Sequence, residues 1–81
     1  MKHRRAFTAI VTANCYIIGR ADEHIDGYTP CVDQFGVFES YAAARNKADE
    51  LNRTLGLSRR DAAMIVCSTM RGSVRNPGVG Q

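Results

Sequence analysis

The sequence has 81 residues, of which 44% are hydrophobic and 23% are charged, and its formal net charge is +3. A chain of this length buries only about 60% of its unfolded surface, which excludes a deep catalytic cleft between two domains. We expect a single α+β domain over residues 1–71, with a small antiparallel sheet of about three strands and two α-helices packed on one face, followed by a flexible tail at 72–81.

The first 20 residues combine basic side chains with a strand pattern. Their basic start and apolar run resemble a secretory signal, but Thr8 and Thr12 interrupt the run and no cleavage site follows. The longest apolar run, AAMIVC, is far shorter than the ~20 residues that span a bilayer, so we expect a soluble, cytoplasmic protein. The alternation in AFTAIVTA predicts a half-buried strand, and a turn or bulge is expected near Asn14 because one strand over 6–20 would be too long.

The acidic middle of the chain predicts short extended segments joined by loops. Its first part, RADEHIDG, is polar and ends in Gly27, which is typical of a loop. The next segment, YTPCV, is compatible with a short edge strand, since Pro30 cannot occupy a central one. We expect a turn at DQFG and another short extended segment at VFES.

The segment YAAARNKADELNRTL predicts an α-helix with Ser40 as its N-cap and Gly56 as its stop. Its apolar residues recur at helical spacing and form one narrow stripe, which comprises Tyr41, Ala44, Ala48, Leu51 and Leu55. On the solvent side, Asp49 is four residues from both Arg45 and Arg53, so two weak ion pairs are expected.

The stretch LGLSRR at residues 55–60 joins this helix to the next segment and has the form of a helix-turn-helix corner. Arg59 and Arg60 would then stand at the start of a DNA-reading helix. Two features weaken this interpretation. Asn52 occupies a position where a small residue normally permits close helix crossing, and few polar base-reading side chains follow the arginines. A corner between two packed helices is therefore favoured, and a DNA-binding regulator using residues 41–70 is the alternative.

Ser58 and Asp61 form a variant capping box that predicts a second helix over RRDAAMIVCSTM. One face of that helix would carry Ala62, Ile65, Val66, Thr69 and Met70. The composition of residues 62–70 is also compatible with a closing β-strand, and this alternative stays open at the level of sequence.

The chain offers little for metal or redox chemistry. The three cysteines, Cys15, Cys31 and Cys67, form no Cys-x-x-Cys pair and are not at ligand spacing from His3 or His24. We interpret the cysteines as free thiols in a reducing cytosol, with a Cys15–Cys31 disulfide across paired strands as the alternative.

Catalytic motifs are likewise missing from the sequence. His24 is surrounded by Asp22, Glu23 and Asp26, but this segment lacks the pattern of a calcium loop. There is no Gly-x-Ser-x-Gly elbow and no glycine-rich phosphate loop. We therefore expect a non-enzyme without a metal or cofactor.

The charges are divided along the chain in a way that suits a charged partner. Residues 1–20 carry four basic and no acidic side chains, residues 21–50 carry seven acids against two bases, and residues 51–81 carry five arginines against Asp61. A mixed solubilising surface is the alternative. Because arginine and tyrosine dominate interface energetics, we expect a monomeric protein-binding module that docks on a larger protein or ribonucleoprotein assembly. Its candidate contacts are Arg4, Arg5, Arg20, Arg53, Arg59 and Arg60, with Tyr16 and Tyr28 as further anchors.

The stretches IIGRADEHIDGYTP and FESYAAARNKADELNRTLGLS resemble small proteins of bacterial mobile elements. In its size, its strand-rich start followed by a helix pair and its lack of enzymatic motifs, the chain is similar to the anti-CRISPR proteins. The resemblance implies stoichiometric inhibition, in which the protein binds a Cascade-type CRISPR effector complex and blocks target DNA. Many such inhibitors mimic DNA with acidic surfaces. Because this chain is basic, we expect it to dock through basic residues, with the acidic segment 22–26 as a local alternative.

Overall fold

The computed structural model describes residues 4–69 and shows an α+β domain built on an antiparallel sheet. The strands are β1 (Arg5–Val11), β2 (Tyr16–Asp22), β3 (Thr29–Pro30) and β4 (Val37–Phe38), and the helices are α1 (Val32–Phe35), α2 (Tyr41–Thr54) and α3 (Arg59–Thr69). The predicted fold class, with a small antiparallel sheet and two main helices, is confirmed. The predicted tail at 72–81 lies outside the described residues.

Strands β1 and β2 form a hairpin whose turn is fixed by Thr12. The Thr12 N–H donates to the Cys15 carbonyl at 2.9 Å, and the Thr12 hydroxyl accepts from the Cys15 N–H at 3.1 Å. The turn expected near Asn14 is confirmed. Strand β2 continues through Asp22, so the prediction that residues 20–22 belong to a loop was wrong. The polar side chains of Arg20 and Asp22 obscured the strand. It pairs with β1 as far as Asp22, which faces Arg5.

The central strand of the sheet is β2, which pairs antiparallel with β1 on one side and with both β3 and β4 on the other. Helix α1 separates β3 from β4 and occupies the segment where a turn was expected. It ends at Gly36, whose φ of 75° lies in the left-handed region that glycine adopts readily. The short edge strand expected around Pro30 is confirmed.

Both predicted helices form with the expected caps. The Ser40 hydroxyl oxygen accepts from the Ala43 N–H at 3.1 Å, and the Ser58 hydroxyl oxygen accepts from the Asp61 N–H at 3.0 Å. Gly56, with a φ of 79°, follows the end of α2. Residues 62–69 are helical, which decides between the helix and strand alternatives for the described part of that segment.

The core consists of two clusters that meet at β1. One contains Ile18, Cys31, Ala44 and Ala48, with Phe7 and Ala9 packed against it; the other contains Ala6, Ala62 and Ile65. Because successive side chains of a strand point to opposite faces, Phe7 and Ala6 lie on opposite sides of the sheet. Helix α2 therefore packs on one side of β1 and α3 contacts it from the other side, whereas both helices were predicted to pack on one face.

The buried stripe of α2 differs from the prediction at both ends, and Tyr41 at its start is 45% exposed. Ala44 and Ala48 are buried as expected, whereas Leu55 is 46% exposed and Asn52 is only 5% exposed. The predicted burial of Leu55 was wrong, because the helix ends one residue earlier and its last turn directs Asn52 toward β1. No helix among residues 4–69 combines the length and apolar character that crossing a membrane would need.

Candidate protein-binding groove at the edge of the sheet

The side chain of Asn52 joins α2 to the edge of β1. Its Oδ1 accepts from the Phe7 N–H at 2.7 Å, and its Nδ2 donates to the Phe7 carbonyl at 2.9 Å. An amide carries the same donor and acceptor as a peptide group, so Asn52 takes the place of a neighbouring strand at this one residue. This pair of hydrogen bonds fixes the distance between the end of α2 and the sheet.

A groove of about 520 Å³ opens beside this contact, between α2, α3 and β1. Phe7 and Thr8 contribute to it from the strand, Ala62 and Val66 from α3. The groove exists because α2 and α3 approach β1 from opposite sides and are joined by the short corner at residues 55–58. Its wall is largely apolar, and its charged side chains come from the two helices.

Among the described residues, three arginines and one acid line the groove, namely Arg45, Arg53, Arg59 and Asp49, which gives this set a net charge of +2. Asp49 Oδ1 lies 3.5 Å from Arg45 Nε, and its Oδ2 lies 3.6 Å from Arg59 Nη2. The carboxylate therefore links α2 to α3. The expected Asp49–Arg53 pair is not formed, and Arg53 makes no ion pair with any residue in the 4–69 range.

A tyrosine orients one of these arginines. Arg45 Nη1 donates to the Tyr41 hydroxyl at 3.4 Å, and the Tyr41 ring meets that of Tyr16 edge to face, with the centroids 6.1 Å apart. The hydrogen bond from Arg45 to Tyr41, together with the charge of Asp49, raises the pKa of Arg45. The Tyr41 hydroxyl and Asp49 thus both contact the Arg45 guanidinium at the groove.

The structure brings two of the six predicted contact residues into the groove. Arg53 and Arg59 line the groove, and Arg60 is exposed in the same turn of α3 as Arg59. Arg5 is exposed at the start of β1.

Arg4 and Arg20 are engaged elsewhere. Arg4 forms a bidentate pair with Glu23, with contacts of 3.2 and 2.8 Å, and this hydrogen bonding lowers the pKa of Glu23. On β2, Arg20 Nε is buried and lies 3.4 Å from Asp22 Oδ1. The two groups form an ion pair, but within residues 4–69 Nε makes no hydrogen bond. Neither Arg4 nor Arg20 lines the groove, and both are paired with acids.

Sequence reasoning missed two members of the groove. Arg45 was assigned only an intrahelical pair, and Asn52 was treated as a departure from a helix-turn-helix pattern. The available signal was the position of Asn52, one residue after the apolar stripe residue Leu51. A polar side chain that is buried at such a position needs a hydrogen-bonding partner. The identity of that partner could not be read from the sequence, because Phe7 is 45 residues away.

Within the described residues, the three cysteines and the acidic segment 22–26 form no candidate metal site. Cys15, Cys31 and Cys67 are free, with Cys31 buried and Cys67 exposed beside the groove. Burial raises the pKa of the Cys31 thiol. In the part of the chain that the structure describes, no three His, Cys, Asp or Glu side chains are arranged to hold a metal ion.

The arrangement defines a small α+β domain with a basic groove at a sheet edge. No protein-family model, curated protein or solved structure matches the chain.

Proposed function

We propose that this chain is a non-catalytic protein-binding domain that docks an acidic segment of a larger protein or ribonucleoprotein assembly in the groove and thereby inhibits it. The supporting observation is the convergence of Arg45, Arg53 and Arg59 from two helices on one largely apolar groove. Arginine beside apolar surface is typical of interface hot spots. The resemblance to anti-CRISPR proteins suggests a Cascade-type effector complex in the cytoplasm as the partner, with loss of target DNA binding as the outcome.

The surface of α3 favours a protein partner over DNA. After Arg59 and Arg60, the exposed residues of this helix are mainly Ala63, Met64 and Cys67, whereas a DNA-reading helix presents a row of polar side chains to the bases. The DNA-binding regulator remains the second hypothesis and is tested in parallel.

A charge reversal tests the proposed function. The purified chain is added to a Cascade-type complex, and target-duplex binding is measured. We expect stoichiometric inhibition that the double variant Arg53→Glu/Arg59→Glu loses by at least roughly tenfold in potency, since arginine contacts at a hot spot contribute at least about 1.4 kcal/mol. Arg60→Glu makes the same kind of charge change outside the groove and should have a smaller effect. Equal effects of the single and double variants would contradict the role of the groove.

Two further arms of this experiment separate the alternatives. In a lysate capture, a partner retained by the parent chain and lost by the double variant would extend the proposal beyond CRISPR complexes. Binding to random duplex DNA at low salt that weakens steeply as salt is added would favour the DNA-binding hypothesis instead. If the chain neither inhibits the complex nor retains any groove-dependent partner, the proposed function is wrong.

A further inference from the structure

Within residues 4–69, the edge of strand β1 next to the groove is not paired with another strand. Strand β1 is the outermost strand of the sheet, with β2 on one side and no strand among residues 4–69 on the other. An edge strand presents unpaired N–H and C=O groups that can pair with another extended chain. The question is which residues of β1 present those groups.

The register of the sheet answers this question. Residues that face each other in an antiparallel pair alternate between exchanging hydrogen bonds and pointing their backbone groups outward. Ile18 faces Ala9, and the Ile18 carbonyl accepts from the Cys31 N–H at 2.9 Å on the side of β2 away from β1. The backbone groups of the Ala9–Ile18 pair therefore point outward and do not bond each other. Phe7 has the same parity as Ala9, and its N–H and C=O indeed point outward to Asn52.

It follows that the N–H and C=O of Ala9 and Val11 also point away from β2. Asn52 satisfies the edge at Phe7 alone, and neither Ala9 nor Val11 has a further hydrogen-bond partner within residues 4–69. The groove begins at Phe7 and Thr8, directly beside Ala9. A strand paired with Ala9 and Val11 would therefore continue into the groove.

We propose that the acidic segment of the partner protein binds as an added β-strand on this edge of β1. Its backbone pairs with Ala9 and Val11, and its carboxylates are directed to Arg45, Arg53 and Arg59. The inference rests on the proposed function and specifies the conformation of the bound segment. Main-chain hydrogen bonds provide affinity in this mode of recognition, and alternating side chains provide specificity. Beyond Ala9 the side chain of Asn52 occupies the edge, so the added strand ends there and its remaining residues lie between α2 and α3.

Charge complementarity favours an acidic partner over a second copy of this chain. Pairing two copies through β1 would bring the arginines of both grooves toward one another, which is unfavourable. An acidic extended segment would instead neutralise the net charge of +2 carried by the lining residues.

Amide hydrogen exchange tests the added strand directly. The probe is an acetylated hexapeptide alternating glutamate and valine, and the control is the same peptide with lysine in place of glutamate. In the free protein, the Ala9 and Val11 amides should exchange faster than those of Thr8 and Ile10, which are paired to β2. Saturation with the acidic peptide should slow Ala9 and Val11 by at least about tenfold, and the lysine peptide should not.

A proline substitution provides the matched variant. Ala9→Pro removes the outward N–H without removing a bond of the β1–β2 ladder, and proline is tolerated at such edge positions. It should weaken binding of the acidic peptide by at least about fivefold, while Ala9→Ser, which keeps the N–H, should not. An unchanged melting temperature of the Ala9→Pro variant shows that the domain is intact, and the exchange data on the parent chain do not depend on any variant.

Three outcomes would overturn the added strand. Peptide binding that depends on Arg53 but leaves Ala9 and Val11 unprotected would leave groove binding standing and remove strand addition. Failure of the hexapeptide to bind would also remove it, while the proposed function is judged separately by the inhibition assay. Protection that appears without peptide and grows with protein concentration would show that a second copy occupies the edge.

Discussion

Asn52 illustrates how one side chain can form the hydrogen bonds that a neighbouring strand would otherwise form. It lies in the last turn of α2 and is almost completely buried. Its side chain hydrogen-bonds both the N–H and the C=O of Phe7. A buried amide without partners would be destabilising, and here every bond to Phe7 also holds α2 against β1. The residue therefore determines where the groove begins.

At this scale we predict that Asn52→Ala lowers the free energy of unfolding by about 2–3 kcal/mol, because it removes two hydrogen bonds and leaves the Phe7 N–H and C=O without a protein partner. Urea denaturation followed by circular dichroism measures this. Asn46→Ala, at an exposed position of the same helix, is the matched control and should change stability by no more than about 0.5 kcal/mol. Similar losses in both variants would show that the Phe7 contact contributes little.

Hydrogen bonds join the open end of the β1–β2 hairpin and the C-terminal end of α3 to the loop at residues 23–27. The Arg4 carbonyl accepts from the Glu23 N–H at 2.7 Å, and the Arg4 guanidinium binds the Glu23 carboxylate. From α3, the Thr69 carbonyl accepts from the Gly27 N–H at 2.7 Å, and Ser68 Oγ accepts from the His24 N–H at 3.1 Å. The acidic loop is thus part of the framework that positions α3.

The Arg4–Glu23 pair predicts a defined pH dependence. Its hydrogen bonds lower the pKa of Glu23 in the folded state from the ordinary value of 4.5. The unfolded state then binds the proton more readily, so the stabilisation is present above pH 4.5 and is lost as the pH falls through the lower folded-state pKa. Melting temperatures from pH 7 to pH 2.5 should show that Glu23→Gln removes this part of the acid sensitivity. Glu39→Gln, at an exposed position, should not, and identical profiles for the two variants would contradict the prediction.

In the folded molecule, the basic and acidic segments of the sequence do not form separate basic and acidic surfaces. Arg53 and Arg59, which lie in the basic last segment, meet Arg45 from the acidic middle at the groove, while Arg4 is neutralised by Glu23. Asp49 is the acid that limits the positive charge of the groove, because it contacts both Arg45 and Arg59.

Removing that acid should strengthen binding. Asp49→Asn raises the net charge of the lining residues and frees Arg45 and Arg59, so we expect the affinity for the glutamate–valine hexapeptide to rise by roughly twofold to fivefold at low salt. Loss of two partly exposed ion pairs should cost no more than about 1 kcal/mol of stability. Fluorescence anisotropy with a labelled peptide measures the change. Asp33→Asn removes an exposed acid of α1 outside the groove and should leave the affinity within experimental error; a weaker affinity of Asp49→Asn would oppose the electrostatic argument.

Local sequence patterns predicted the elements whose causes are local. Alternation over 6–12 indicated β1, and the hydroxyls of Ser40 and Ser58 marked the starts of α2 and α3 as they are found in the structure. Capping and turn formation involve groups within a few residues of one another, so their signals lie in short stretches of sequence.

The continuation of β2 to Asp22, the burial of Asn52 and the exposure of Leu55 depended on partners far along the chain and were not predicted. The same holds for the groove. The capping pattern places arginines at the end of one helix and at the start of the next without any tertiary information. Arg53 and Arg59 join Arg45 beside the outer edge of β1 because α2 and α3 pack on opposite sides of that strand, an arrangement that depends on contacts between distant parts of the chain.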